Sequence, residues 1–193
     1  MAKVLVPIAD GTEEMEAVII IDVLRRAQID VCVASVMPGR KEITASRGVR
    51  LIADVLLEEC VGQDWDMITL PGGQPGATHL HDSTTLLALL KGQIAQQRWV
   101  AAICASPAVV LGRHGLISQA TATCFPACQQ ELAGQTAAVS QERVVVDVKL
   151  VTSQGPGTAV EFALRLVELL GGEQKANEVQ KAMVVTQPRA SAA

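Results

Sequence analysis

The run Val100-Ala101-Ala102-Ile103-Cys104-Ala105-Ser106-Pro107 decides the fold, because a short apolar stretch leads directly into a turn at a cysteine. The apolar residues are typical of a strand buried in a parallel sheet, and the proline suits the first turn of a helix. The pattern therefore predicts a strand-to-helix elbow that lifts the Cys104 side chain above the end of the sheet. We expect the positive end of the following helix to favour the thiolate, the reactive form of cysteine.

A second interpretation of Cys104 is an inert cysteine in a buried strand. Free cysteines are among the most buried residues and usually behave as small apolar side chains. The position of Cys104 alone does not distinguish the two, so the decision depends on the rest of the chain.

Composition predicts one acidic globular domain. The chain has 193 residues, 49% of them hydrophobic, and a net charge of -4, which gives no electrostatic footprint for specific nucleic-acid binding. Aromatic residues make up 2% of the chain, so platforms that stack bases or sugars are scarce and the core must be aliphatic. We expect residues 1–186 to form a single domain and residues 187–193 to form a disordered tail.

Cysteine usage and hydropathy predict a cytoplasmic protein. The number of cysteines is odd, and no two form a CxxC pair or a regular disulfide framework. The N-terminus resembles a strand rather than a secretory signal, and no apolar stretch is long enough to span a membrane. Cys124 and Cys128 are four residues apart, but no histidine or second cysteine pair completes a metal site, so we interpret them as packing residues.

Strand-like and helical patterns alternate along the chain, as expected for an α/β protein whose mostly parallel sheet has helices on both faces. Asp10 and Glu13 have the spacing of a capping box, as have Thr158 and Glu161. Strands are predicted at residues 3–8, 30–36, 67–70, 100–103, 144–148 and 150–153. Helices are predicted at residues 10–28, 83–97, after Cys104, and at 158–171 and 174–183.

Glu16 is the unusual residue of the first predicted helix. Its neighbours at helical spacing include Ile19, Ile20 and Val23, so the carboxyl group lies on the face that turns toward the core. A buried carboxylate without a partner costs several kcal/mol or becomes protonated. Glu16 must therefore have a specific partner or be neutral, whereas we interpret Glu13 and Glu14 as ordinary acids of a first helical turn.

Gly72 and Gly73 follow the predicted strand at residues 67–70. Such a pair exposes backbone N–H groups at the sheet edge where ligands bind in parallel α/β proteins, which suits an oxyanion hole. It does not match a phosphate-binding loop, because no Gly-Lys-Ser or Gly-Lys-Thr follows. Arg47, between small residues in a short extended stretch at 43–49, is either a contact for an anionic group or a solvated surface arginine.

Five motifs together resemble the ThiJ/PfpI superfamily, in the branch of the parkinsonism-associated deglycase. They are Gly11-Thr12-Glu13-Glu14-Met15-Glu16, Ser46-Arg47-Gly48, Leu70-Pro71-Gly72-Gly73, Ala101-Ala102-Ile103-Cys104-Ala105 and Thr152-Ser153-Gln154-Gly155-Pro156-Gly157-Thr158. The resemblance implies a flavodoxin-like sandwich that forms a homodimer, with Cys104 as nucleophile and oxidation sensor and with Glu16 hydrogen-bonded to its sulfur. It further implies backbone donors and a pocket formed by Gly72, Gly73, Ala105, Arg47, Phe125, Gly155 and Pro156.

The chain departs from the superfamily at Phe125, where many relatives place a histidine just before the proline. Phenylalanine transfers no protons, so the site resembles a Cys-Glu pair rather than a Cys-His-Glu arrangement. The other histidines do not readily substitute, since His114 lies ten residues beyond Cys104, about 15 Å along a helix, while His79 and His81 follow the glycine loop.

The resemblance implies a cofactor-independent glyoxalase or deglycase that protects against oxidative stress. Its partners would be small reactive carbonyls such as methylglyoxal, or glycated thiols and amines. An alternative is a redox-sensing chaperone that oxidises Cys104 and catalyses little. A cysteine peptidase or an amidotransferase-like hydrolase is a weaker alternative, because both need a histidine base that this sequence does not readily supply.

Overall fold

The computed structural model describes residues 1–186, so the predicted disordered tail lies outside the described residues. The strands are β1 (Lys3–Ile8), β2 (Asp30–Ser35), β3 (Glu42–Thr44), β4 (Arg50–Ile52), β5 (Val55–Leu56), β6 (Met67–Leu70), β7 (Trp99–Ile103), β8 (Thr121–Ala122), β9 (Ala138–Val139), β10 (Val144–Asp147) and β11 (Leu150–Ser153). The α-helices are α1 (Glu14–Arg26), α2 (Gly76–Asp82), α3 (Thr84–Ala95), α4 (Gln129–Ala133), α5 (Ala159–Gly171) and α6 (Glu173–Ala182). Single turns of 3₁₀-helix occupy Leu57–Cys60, Pro126–Cys128 and Pro156–Thr158, and a π-helix occupies Pro107–Gly112.

Seven strands form the central sheet in the order β10-β11-β7-β6-β1-β2-β5. The pairings along it are parallel, except that β10 runs antiparallel to β11. Strands β3 and β4 form a separate antiparallel hairpin, and β8 pairs with β9 in parallel. The mostly parallel α/β architecture predicted from the alternating patterns is confirmed.

The two faces of the sheet are covered by different helices. Residues of α1, α5 and α6 pack with Val4, Val6 and Ile8 on one face, whereas residues of α2, α3 and the π-helix pack with Leu5 on the other. Among the described residues, the core is aliphatic apart from Phe162 and Trp65, whose side chains are buried. Within residues 1–186, no helix combines the length and apolarity that crossing a membrane requires.

The order of the strands places a topological switch point between β1 and β6. The chain moves outward from β1 through β2 to β5, then returns to β6 on the other side of β1 and continues to β7. Loops that follow adjacent strands diverge at such a point and leave a crevice at their carboxyl ends. The loops after β1 and β6 are joined across it, since the N–H of Glu13 donates to the carbonyl of Gly72 at 2.9 Å.

The first helix begins later than the capping pattern predicts. Glu13, rather than Asp10, is the N-cap, and its carboxylate accepts the N–H of Glu16 at 2.7 Å. The Asp10 carboxylate instead pairs with Arg40 and accepts the N–H of Thr44 at 2.9 Å. Asp10 therefore binds these tertiary partners instead of capping the helix, and no local sequence pattern encodes them.

The predicted helix after the elbow is also different in the structure. A six-residue π-helix, Pro107–Gly112, is followed by turns, so His114 lies beyond its end rather than along an extended helix.

Two other helices, α2 and α5, also differ from the predictions, and helix α2 was not predicted at all. The capping box at Thr158 does not form either, because its hydroxyl interacts with Ser153 and Gly155.

Candidate active site

Cys104 lies immediately after β7 with a backbone φ of 65°, in the left-handed region. A non-glycine residue there carries about 1–3 kcal/mol of strain and persists only where its surroundings hold it in place. Two main-chain hydrogen bonds do so, because the N–H of Cys104 donates to Ser153 at 3.0 Å and its carbonyl accepts from Phe125 at 2.7 Å. The hydroxyl of Ser106 also donates to the carbonyl of Pro71 at 2.5 Å, which ties the elbow to the glycine loop. The predicted elbow is confirmed in this strained form.

Glu16 meets this elbow from the opposite side of the crevice. Its side chain is fully buried on α1, and its Oε2 accepts the N–H of Gly72 at 2.8 Å. The carboxyl group is hydrogen-bonded to the side chain of Cys104. Its second oxygen, Oε1, has no nitrogen or oxygen donor among residues 1–186. The structure therefore brings together the two side chains that the sequence singled out separately.

The glycine loop must lack side chains for this contact to exist. A Cβ atom on Gly72 would lie 2.5 Å from Cβ of Cys104 and 2.9 Å from Oε2 of Glu16, closer than van der Waals contact allows. Gly73 has a φ of 93°, and a Cβ there would lie 2.3 Å from the carbonyl oxygen of Gly11. Close approach thus requires a glycine at both positions, and at Gly73 the backbone conformation requires one as well.

Burial raises the pKa of Glu16 to about 7. Removal from water is the main cause, because it penalises the charged carboxylate, and the nearby Glu13 adds to the rise. Hydrogen bonds from Gly72 and Cys104 oppose it by stabilising the carboxylate. The carboxyl group therefore exchanges its proton near neutral pH, as a general acid and base requires.

The pKa of the Cys104 thiol is also raised, contrary to the expectation that a helix end would lower it. Burial is the main cause, followed by repulsion from an ionised Glu16 and by the hydrogen bond between them. Hydrogen bonding to the N–H groups of Gly73 and Ala105 acts in the opposite direction. The short π-helix that follows does not reverse this balance. Because two adjacent charges repel, the pair carries at most a single negative charge, which it gains as the pH rises through neutrality.

Gly155 and Phe125 form one side of the crevice next to Glu16. A Cβ on Gly155 would lie 3.3 Å from the Phe125 ring and 4.0 Å from Oε1 of Glu16. Phe125 is 42% exposed, so its ring lies at the rim rather than in the core. Pro156 begins the neighbouring 3₁₀-helix. The structure thus places Gly155 and Phe125 beside the pair, in the region predicted to form the pocket.

Glu14 has a structural role that sequence reasoning missed. Its carboxylate accepts the hydroxyl of Ser46 at 2.7 Å and the N–H of Arg47 at 2.8 Å, and so holds the loop between β3 and β4 against α1. The side chain of Arg47 itself is exposed, and in the described part of the chain it has no hydrogen bond to Glu16 or Cys104. Nothing in the local pattern distinguishes Glu14 from a solvated first-turn acid.

The histidines lie in other surroundings. The rings of His81 and His114 stack with centroids 4.1 Å apart, and His114 interacts with the carbonyl of His81 at 2.9 Å. His79 lies near Asp10, whose pKa is lowered mainly by hydrogen bonding to Arg40 and slightly by His79. Within residues 1–186, no histidine is hydrogen-bonded to Cys104.

Comparison with known proteins identifies the family. A model described as the DJ-1/PfpI family matches residues 2–169. The chain belongs to the DJ-1/PfpI family. The predicted flavodoxin-like fold is likewise confirmed, because oxidized DJ-1 of Toxoplasma gondii superposes with a TM-score of 0.92 at 43% sequence identity, covering 97% of this chain and 100% of that one.

Two curated DJ-1/PfpI relatives differ in the share of their length that the match with this chain covers. Protein DJ-1 homolog B of Arabidopsis thaliana is 48% identical over 95% of this chain, yet the match covers only 41% of that protein. The chain therefore spans less than half the length of that relative. The glutathione-independent glyoxalase DJR-1.2 of Caenorhabditis elegans is 34% identical over 93% of this chain and 94% of the nematode protein.

Replacing Glu16 by Gln should stabilise the protein increasingly as the pH rises. The folded pKa of about 7 exceeds the ordinary value of 4.5, so the folded state binds the proton more tightly and loses this advantage between those pH values. We expect Glu16→Gln to gain up to about 3 kcal/mol of unfolding free energy relative to wild type between pH 5 and about 8. Urea denaturation at several pH values measures it.

The exposed Glu58→Gln serves as the control, because it removes a glutamate carboxyl group that faces solvent, and Glu16→Gln should gain more unfolding free energy with rising pH than this control does. A pH-independent difference for Glu16→Gln would mean that Glu16 titrates with an ordinary pKa in the folded protein.

Proposed function

We propose that this protein is a cofactor-independent glyoxalase in which Cys104 is the nucleophile and Glu16 the general acid and base. The observation that carries the proposal is the buried hydrogen-bonded pair of Glu16 and Cys104 at a strained elbow. Strained backbone and a carboxyl group with a pKa near neutrality are both typical of catalytic sites. The name of the nematode relative, a glutathione-independent glyoxalase, supports the same activity.

The first step adds Cys104 to a 2-oxoaldehyde such as methylglyoxal. The thiol transfers its proton to the Glu16 carboxylate, and the resulting thiolate forms a carbon–sulfur bond at the aldehyde carbon. The carbonyl oxygen becomes an alkoxide and takes the proton back from Glu16, which yields a neutral hemithioacetal and a carboxylate. The N–H groups of Gly73 and Ala105, which hydrogen-bond toward the sulfur, stabilise the negative charge in transit.

The second step is an internal oxidation and reduction of the bound substrate. Glu16 removes the carbon-bound proton from the hemithioacetal carbon and delivers it to the neighbouring carbonyl carbon through an enediol. The hydroxyl proton moves to the other oxygen, so the product is a thioester of a 2-hydroxy acid. Water then forms a carbon–oxygen bond as the carbon–sulfur bond breaks, releasing the acid and the thiol.

This sequence adds one water to the substrate and needs no external electron acceptor. The first carbon is oxidised by as much as the second is reduced, which agrees with the expectation of no cofactor. The hemithioacetals and aminocarbinols that such aldehydes form with thiols and amines present the same carbon framework. We therefore extend the proposed substrate class to these early glycation adducts.

Lactate formation from methylglyoxal without added glutathione tests the proposal. Cys104→Ser should lower kcat/KM by at least about a thousandfold, because the nucleophile is lost. Glu16→Gln should lower kcat by about 10²–10⁴-fold, the usual contribution of general acid-base catalysis. Both losses are measured by an enzymatic lactate assay on the purified full chain.

Cys32→Ser is the matched control, because Cys32 is a half-buried thiol that packs against the cluster on the other face of the sheet. It should retain the wild-type rate. Equal rates for wild type and Cys104→Ser would reject Cys104 as the nucleophile.

A second candidate function is redox sensing through Cys104, with little catalysis. It is favoured by the position of Oε1 of Glu16, a buried oxygen without a nitrogen or oxygen donor among residues 1–186. A protonated Glu16 can donate a charge-assisted hydrogen bond to a sulfinate formed on Cys104. The solved Toxoplasma gondii relative was described in an oxidized form.

Mild peroxide treatment should therefore add two oxygen atoms to Cys104, and the sulfinate should accumulate to a lower level in Glu16→Gln than in Glu16→Asp. An amide cannot supply the acidic proton, whereas a shorter carboxylic acid can. Intact-mass measurement and peptide mapping locate the oxygens. Equal accumulation in both variants would remove Glu16 from this role.

We propose in addition that the protein forms a homodimer through the outer face of α1. Met15 and Val18 are exposed there, and Met15 is 55% exposed next to the buried Glu16. The loop between β3 and β4, which carries the exposed Val49, is tied to the start of α1 by the hydrogen bond from Ser46 to Thr12 at 2.8 Å. Clustered exposed apolar side chains of this kind are typical of interaction surfaces.

Met15→Glu should convert the dimer into a monomer, because a buried charge without a partner is costly at an interface. Sedimentation velocity measures the change. The control is Val61→Glu, at a similarly exposed apolar position after Leu57–Cys60, which should leave the dimer intact. A monomeric wild type, or a dimeric Met15→Glu, would reject this interface.

A further inference from the structure

We propose that Cys32 and Cys60 form a second redox site, in which a hydroperoxide converts the two thiols into an intramolecular disulfide. Each thiol is the largest influence on the pKa of the other, although 28 residues separate them, and both side chains pack in the same apolar cluster. Neither belongs to the Cys104 site. Both lie with the cluster of α2 and α3, whereas Cys104 and α1 belong to the cluster on the other face.

The sheet edge brings these thiols together. Cys32 is the third residue of β2, on the same side of the strand as Ala34. Strand β5 pairs with β2 only at Ala34 and Ser35, and the 3₁₀-helix Leu57–Cys60 follows it directly. Cys60, the last residue of that turn, therefore returns to the side of the sheet where Cys32 lies.

The short edge strand also leaves the thiols unequally accessible. Beyond the two pairs with β5, the edge of β2 is closed by Asp54, whose N–H donates to the carbonyl of Val33 and whose carboxylate accepts the N–H of Val33, both at 2.9 Å. Cys32 remains half-buried, whereas Cys60 is fully buried. A small oxidant therefore reaches the Cys32 thiol before it can reach the buried Cys60 thiol.

Hydrogen bonding makes the accessible thiol the more acidic one. The hydrogen bond from Cys60 lowers the pKa of Cys32 and outweighs burial and the repulsion of Asp54, with a smaller contribution from the ammonium group of Lys3. The same hydrogen bond and burial raise the pKa of Cys60. Among the five cysteines, Cys32 alone has a lowered pKa, since those of Cys104, Cys124 and Cys128 are raised. Low pKa and exposure are the properties of a redox-sensitive thiol.

The chemistry takes two steps and consumes one hydroperoxide. The Cys32 thiolate attacks the peroxide, the oxygen–oxygen bond breaks, and the products are a sulfenic acid on Cys32 and an alcohol or water. The Cys60 sulfur then attacks the sulfenic sulfur, its proton leaves with the hydroxyl group as water, and the sulfur–sulfur bond forms. Two thiols are oxidised by two electrons, and the peroxide is reduced by two electrons.

The test uses the full chain with Cys104→Ser, which removes the oxidation of the elbow cysteine. The protein is treated with hydrogen peroxide, denatured, alkylated and weighed. We expect a monomeric product with two fewer alkylated thiols, in which peptide mapping joins Cys32 to Cys60. Dithiothreitol should restore both thiols.

Single replacements distinguish the roles of the two cysteines. Cys32→Ser at its half-buried position should abolish the loss of alkylation at Cys60, whereas Cys60→Ala should leave a sulfenic acid on Cys32 that dimedone traps. The pair Cys124 and Cys128 is the internal control and should stay fully alkylated. The proposal is overturned if Cys32 and Cys60 only gain oxygen atoms independently, if no disulfide forms, or if the disulfide joins two chains. Should Cys60→Ala fail to fold, Cys32→Ser and the mapped disulfide still decide the matter.

Discussion

The contact between the buried Glu16 carboxyl group and the Cys104 sulfur is the constraint on which the site depends. A carboxyl group in that position has lost its hydration, and the N–H of Gly72 at 2.8 Å replaces only part of it. The contact is possible only where a residue without a side chain separates the two groups, since a Cβ on Gly72 would overlap both. Strain, desolvation and a required glycine thus coincide at one point, which is typical of a functional site rather than a packed core.

The position of this contact follows from the sheet topology. Glu16 comes from the helix after β1, Gly72 from the loop after β6, and Cys104 from the elbow after β7. These three strands are neighbours, and the carboxyl ends of neighbouring parallel strands meet at one edge. Residues that are 56 and 88 positions apart in the chain therefore become adjacent without any unusual loop.

The sequence predicts best what local patterns encode. The bounds of β1, β6 and β11 match the predicted strands, since buried parallel strands form short apolar runs between turns. Glu16 and Cys104 were selected by separate local arguments, one from helical spacing and one from an elbow. The predictions that were wrong concern residues with tertiary partners. Asp10, for example, pairs with Arg40 instead of capping the first helix. The contact of Cys32 with Cys60 belongs to this class, because no spacing of residues signals it.

The two cysteine sites show why burial and hydrogen bonding must be weighed separately for each thiol. At Cys104 both burial and Glu16 oppose ionisation, and the part due to Glu16 is removed only when its carboxylate takes the proton. That transfer moves one negative charge from carboxyl to sulfur instead of creating a second, and the repulsion that raised the thiol pKa disappears with it. Reactivity at the elbow is therefore coupled to the proton on Glu16, whereas at Cys32 a neutral donor thiol supports the charge without any transfer.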